Sequence, residues 1–231
     1  MQYPRHLSSF LYLLIAPFLF FHANSEEQHV SAAVLPERLS ISTSSHPAVI
    51  EYFQPWVKNA YAKLGIEVEF LSLNEERSLL LLQNGDIDGD IIRTEQVLLQ
   101  LESVVPVYML GEAKIYLICR PNLICNNTTL NNPDLILGSV AGNTYFQTLL
   151  HEKKITQMRY TTYQLLRQSY LQKRVDTYIE ISNSYEIEMP FPEKAGIFKL
   201  GQIQGFHLLY EKHRHLVPLV AAQLESIKNN Q

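Results

Sequence analysis

IEVEFLSLNEERSLLLLQNGDIDGDIIR, residues 66–93, reads as strand, helix and strand in one short run. Ile66, Val68 and Phe70 alternate with Glu67 and Glu69, the period of two expected of a strand with one buried face. Asn74 is placed to cap the following helix, and Glu75 and Glu76 fall in its first turn, where the helix dipole favours acids. The helix passes through Leu79–Leu82 and stops at Gly85, a residue that tolerates the left-handed turn ending many helices. Asp86 to Ile92 reads as the next strand, with Asp86, Asp88 and Asp90 alternating onto what the pattern predicts is a wet face. A strand, a helix and a second strand joined this closely imply parallel pairing with the helix laid on the sheet.

The same alternation extends in both directions. Leu39–Thr43 is a strand, followed by a polar loop over Ser44, Ser45, His46 and Pro47. Val49, Phe53, Trp56, Val57, Ala60 and Leu64 then mark one face of an amphipathic helix. Pro55 requires that helix either to kink or to begin there. Val104–Leu110 and Lys114–Cys119 read as two strands, with Gly111 between them as a hinge candidate. A second series follows: strand Leu135–Val140, helix Tyr145–Glu152, strand Met158–Tyr160, helix Thr162–Lys173 and strand Val175–Ile181. Gly196–Leu209 holds one or two more strands, and Leu216, Val220, Leu224 and Ile227 mark a final helix. Two such series imply two α/β lobes of about 100 residues each. Ligands of parallel sheets sit at the carboxyl ends of the strands, here the loops after Thr43, Ile92, Val140 and Ile181.

The chain has 231 residues, 46% of them apolar and 18% charged, with a formal net charge of −4. That balance excludes a disordered chain and offers no basic surface for nucleic acid. Arg5 precedes an uncharged run from Phe10 to Phe21, and Ala23-Asn24-Ser25 supplies small residues at the cleavage positions. This is the layout of a secretory signal peptide over residues 1–25, an uncleaved anchor being the alternative. No cysteine stands near the cleavage point, which argues against lipid attachment. An exported chain meets an oxidising compartment, and its two cysteines, Cys119 and Cys125, are expected to form a disulfide.

The ordered set of motifs resembles bacterial extracellular solute-binding proteins of family 3, the type II periplasmic binding proteins associated with amino-acid uptake. The residues carrying the resemblance are Asn59-Ala-Tyr61-Ala-Lys-Leu-Gly65 with the strand after it, Glu76-Arg77 through Gly85-Asp-Ile-Asp88 to Arg93, Leu137-Gly138-Ser-Val-Ala-Gly142-Asn143-Thr144, and Arg174-Val175-Asp176-Thr-Tyr-Ile-Glu180. The resemblance implies two lobes, each a mainly parallel sheet flanked by helices, joined by a two-crossing hinge. Lobe 1 would comprise residues 35–109 and 200–231, and lobe 2 residues 110–199, with ligand bound in the cleft between them.

The site follows from the same loops. Arg93 offers a guanidinium fork for a ligand carboxylate, the alternative being a salt bridge with Asp90 or Glu95. Asn143 and Thr144 stand where a strand turns into a helix, and either hold the same carboxylate or simply cap the helix. The resemblance places Glu180 near the position that takes a ligand ammonium group. Ser44 and Ser45 can contact a polar ligand or cap the first helix. Asp86-Ile-Asp88-Gly-Asp90 lacks calcium-loop spacing, and His207, His213 and His215 lack metal-ligand spacing, so no metal or cofactor is expected. No nucleophile elbow or Cys–His pairing points to catalysis. The expected function is capture of a small polar, amino-acid-like solute in the periplasm, as a monomer, for a membrane permease or a sensor. Two alternatives stand beside it: a degenerate binding fold used for signalling or protein contacts, and a periplasmic enzyme on the same scaffold.

Overall fold

A computed structural model describes residues 34–183 and 192–229. The expected signal peptide over residues 1–25 lies outside them. The sheet is built from β1 (Arg38–Thr43), β2 (Glu67–Ser72), β3 (Gly89–Thr94), β4 (Val104–Cys119), β5 (Ile136–Val140), β6 (Thr156–Tyr160), β7 (Thr177–Asn183) and β8 (Gly196–Tyr210). The helices are α1 (Gln54–Ala62), α2 (Glu75–Asn84), α3 (Glu95–Leu98), α4 (Thr144–Leu150), α5 (Tyr163–Leu171) and α6 (Val217–Lys228).

The strands form one eight-stranded sheet in the order β2-β1-β3-β8-β4-β7-β5-β6. Its two ends repeat one pattern. In the first, β1 pairs in parallel with β2 and β3; in the second, β5 pairs in parallel with β6 and β7. Each parallel triplet then meets a long antiparallel strand, β3 against β8 and β7 against β4. The strands β4 and β8 pair with each other from Val104↔Tyr210 to Cys119↔Gly196 and so run through both halves.

This corrects the reading of two strands at 104–110 and 114–119. Gly111 does not break the strand; it sits beside a register shift between Met109 and Gly111. A bulge absorbs the irregularity while pairing continues on both sides. The two mainly parallel halves expected from the sequence are present, and β4 and β8 are the two crossings that join them.

Four sets of apolar residues fill the halves, and the two largest hold helices to the sheet. Leu39, Ile41, Trp56, Val57, Tyr61, Ile91, Leu209 and Leu224 pack α1 and α6 against the first half. Ile115, Leu117, Leu137, Phe146, Leu150 and Ile179 pack α4 against the second. Around Pro55 the helix both begins and bends: residues Val49–Phe53 form a π-helical turn, and Pro55 stands in the first turn of α1. Proline has no N–H to give to the carbonyl four residues back, and the wider turn accommodates that loss. Asn74 caps α2 by accepting from the Arg77 N–H at 2.8 Å. Cys119 and Cys125 are joined in a disulfide, tying the end of β4 to the loop that follows. No helix of the described residues is long and apolar enough to cross a membrane.

Candidate functional site

A cavity of about 100 Å³ opens between the two halves. It is lined from the ends of β1, β3, β5 and β7: Ser44 and His46, Ile92 to Thr94, Asn143, and Ile181. Glu75 from α2, Tyr163 from α5, and Gly111 to Ala113 with Ile203 and Gly205 from the crossing strands also line it, with Phe53 and Val97 among its apolar wall. A single water needs only about 10–15 Å³ by a comparable measure, so this space holds several waters or a small organic molecule.

Asp90 organises the first-half wall. It is 2% exposed, in contrast to the wet face expected for this strand. Burial is sustained by four contacts to its Oδ2: the Ser42 and Ser78 hydroxyls donate at 2.5 and 2.6 Å, and Arg93 Nε and Nη2 lie at 2.8 and 2.6 Å. A buried carboxylate is tolerable when its lone pairs are filled in this way. Arg93 is itself 6% exposed. Burial works against its charge, but Asp90 and Glu75 outweigh that penalty and raise its pKa further. The Arg93–Asp90 pair is therefore the alternative read from sequence, buried rather than superficial, and Arg93 still lines the cavity.

Glu75 reaches across the cavity. Its Oε2 lies 3.5 Å from Arg93 Nη1, and its Oε1 accepts from Asn143 Nδ2 at 3.4 Å. Burial and the neighbouring Asp90 raise its pKa, while Arg93 and Asn143 pull it down; the net direction is upward. Asn143 also caps α4, accepting from the Phe146 N–H at 3.0 Å. Beside it Gly142 has φ +83°, and a Cβ there would come within 2.9 Å of the Glu76 backbone nitrogen. Glycine is required on both counts, so the halves meet at this point backbone to backbone.

His46 makes a second bridge. Its Nδ1 accepts from the Ala48 N–H at 3.2 Å, which leaves Nε2 to carry the proton and donate to the Ile181 carbonyl at 3.2 Å. The ring meets Tyr163 edge-on at 4.5 Å. Burial, aided by the Arg167 charge, lowers its pKa to about 4, so the ring is neutral at ordinary pH.

Of the residues selected from sequence, Ser44, Arg93 and Asn143 line this cavity. Ser45 is half-buried and is not part of the lining. The backbone of Thr144 begins α4, and its side chain is outside the described set. Glu180 is not brought to the cavity: Arg167 Nε and Nη2 donate to its two oxygens, both at 3.0 Å, and it is 2% exposed. Strand parity explains this, since Glu180 and Ile181 must face opposite sides of β7 and it is Ile181 that faces the cavity. Sequence reasoning missed Glu75, Glu112, Thr94 and Tyr163. Glu112 lies on the crossing strand and accepts from Gln202 and Gln204 Nε2 at 2.8 and 3.1 Å. Thr94 Oγ1 is buried with no hydrogen-bond partner among the described residues.

No family model matches the chain, and no curated protein matches it. Solved structures do. A mutant of ArgBP from T. maritima superposes with a TM-score of 0.70 at 15% identity, over 84% of this chain and 90% of that one. The substrate-binding protein of an amino acid ABC transporter gives 0.68 at 14%, over 84% and 94%. An ancestral amino-acid-binding protein, a precursor of cyclohexadienyl dehydratase, gives 0.65 at 15%, over 84% and 90%. At these identities the likeness establishes the fold: a mixed α/β chain with a curled eight-stranded sheet, matching two-lobed amino-acid-binding proteins.

Proposed function

We propose that the protein is an exported solute-binding protein that captures a small polar, amino-acid-like molecule between two lobes, for ABC-type uptake or for sensing. Residues 35–109 with 200–231 form one lobe and 110–199 the other. The hinge lies where β4 and β8 cross, and residues 1–25 direct export to the periplasm. The observation that carries the reading is the cavity itself, lined by the ends of β1, β3, β5 and β7 and bounded by both halves of the sheet. Ligands of parallel sheets bind at strand carboxyl ends, and a cleft between lobes can close by hinge bending. The solved structures of the same fold are mostly binding proteins, one of them a dehydratase precursor, so the fold leaves catalysis to be tested by turnover.

A thermal-shift screen of the purified chain against amino acids, short peptides, organic acids and amines tests this reading. A true ligand at 100 times its Kd stabilises the fold by about 2.7 kcal/mol. No shift from a cooperatively melting sample overturns solute capture. It favours instead the degenerate-fold reading, which the internal pairing of Arg93 with Asp90 and Glu75 already motivates.

A further inference from the structure

The charged groups at the cavity are already partnered. Arg93 is held by Asp90 on one edge and faces Glu75 on the other, with Nη1 3.5 Å from Oε2. Asn143 gives Nδ2 to Glu75 and its side-chain oxygen to the Phe146 N–H. His46 is neutral and uses both ring nitrogens, on the Ala48 N–H and the Ile181 carbonyl. The Glu112 carboxylate lies on the other face of β4, where Gln202 and Gln204 donate to it, while Ala113 and its partner Ile203 face the cavity. A carboxylate brought into this space would meet Glu75 and Asp90, and an ammonium drawn to Glu75 would stand beside the Arg93 guanidinium. Either ion would give up its water without gaining a counter-ion of its own, the costliest form of burial. A neutral N–H or O–H brings no second charge, and the long contacts at Glu75 leave lone pairs to receive one. The rest of the wall is apolar: Val49, Phe53, Ile92, Val97, Ile181 and Ile203. Such walls hold a guest by covering its apolar surface. An apolar cavity of about 150 Å³ takes one benzene molecule. At about 100 Å³, this one suits a body of roughly four to six carbon atoms.

We propose that the cavity takes an uncharged molecule, a compact branched or cyclic apolar body carrying a hydroxyl or amide, and that the cluster of Arg93, Asp90 and Glu75 turns away acids, amines and zwitterions alike. The inference rests on the cavity being a solute site and narrows the class: a guest with the size of an amino-acid side chain fits, and the charged groups of the free amino acid do not.

Two series that share a body and differ in charge provide the test: isobutyramide, isobutyrate and isobutylamine; cyclopentanol, cyclopentanecarboxylate and cyclopentylamine. Each compound is titrated into the isotope-labelled chain at neutral pH and followed by two-dimensional NMR, which reads millimolar affinities. The uncharged member of at least one series is expected to bind ten times or more tightly than its acid and its amine. Ala113→Leu, which sets a larger side chain on the cavity face, should weaken that binding at least tenfold while the melting transition stays cooperative. An acid, amine or amino acid that binds as tightly as the uncharged compounds, here or in the wider screen, overturns the proposal and leaves solute capture standing. Binding of the uncharged member that a folded Ala113→Leu leaves unaltered places the guest elsewhere and overturns it too. Silence from every compound of both series and of the wider screen, with a folded sample, overturns both readings. Should Ala113→Leu fail to fold, the wild-type ratios within each series decide alone.

Discussion

Two arginine–carboxylate clusters stand one in each half of the sheet, and they are built differently. Arg167 and Glu180 form a closed pair: two parallel bonds at 3.0 Å, with the Ile181 N–H donating to the same carboxylate at 3.2 Å. Arg93 faces two carboxylates. Asp90 holds it closely, whereas Glu75 reaches it only at 3.5 Å and shares itself with Asn143 across the cavity. The closed pair is saturated and lies outside the cavity lining; the open cluster carries one acid more than it has bases and lies on it. Saturation marks a brace, and surplus charge beside a void marks a place where something can bind.

The largest expected effect comes from removing the anchor of the open cluster. Asp90→Ala leaves Arg93 buried and strips two hydroxyls of their acceptor, at a cost of about 3–5 kcal/mol. Urea unfolding measures it, and a loss below about 1 kcal/mol would show that Arg93 escapes to water. Glu180→Gln keeps shape and part of the bonding, and Arg167 is already 29% exposed, so the cost should be about 1–2 kcal/mol. Ligand affinity should stay within about twofold, because Glu180 is outside the lining. A larger change in affinity would break the comparison and return Glu180 to the site.

Two buried histidines give a pH test of comparable size. His207 lies beneath the open cluster, with Nδ1 2.8 Å from the Asp90 carbonyl and Nε2 2.8 Å from Tyr61 Oη. His46 bridges the halves. Burial chiefly lowers both pKa values to about 4. Each ring stays neutral in the fold while its unfolded counterpart protonates near 6.5, so the stability it contributes is complete above 6.5 and drains away as pH falls toward 4. At pH 5 each should have cost about 2 kcal/mol relative to pH 7. Replacing either by Gln should flatten the decline in urea-midpoint stability over that interval; an unchanged slope would place that ring in water.

How far the sequence reaches is visible in particular residues. The helices and short strands follow from period and caps: Asn74 and Gly85 bound α2 as read, because those signals act within a few residues. The sixteen-residue β4 was not legible, because a glycine mid-strand signals a break unless the partner strand is known. Loops at strand ends brought Ser44, Arg93 and Asn143 to the cavity lining, since the fold fixes where those ends converge. In sequence Glu75 is an ordinary first-turn acid. Its reach to Asn143 spans 68 residues of sequence, and no local pattern carries that information. Asp90 looked solvated because alternation registers polarity, not partners; Ser42, Ser78 and Arg93 reverse its burial.

The smallest effect has the most informative sign. Burial raises the pKa of both Glu75 and Glu180, so each contributes stability that is complete below the ordinary value of 4.5 and lost as pH rises through the higher folded value. Glutamine cannot ionise. At Glu180 it also forfeits one of the twin bonds from Arg167 and turns an amide N–H toward the guanidinium, and the balance is a loss. At Glu75 the contacts forfeited are long, and the repulsion from Asp90 disappears with the charge. Glu75→Gln should therefore match or exceed wild-type stability at pH 7, by less than about 1 kcal/mol, and lose that margin near pH 4. Urea midpoints of both variants across pH 4–7 decide it. If Glu75→Gln destabilises at neutral pH as Glu180→Gln does, Glu75 is a second brace, and the contrast between a saturated cluster and a receptive one fails.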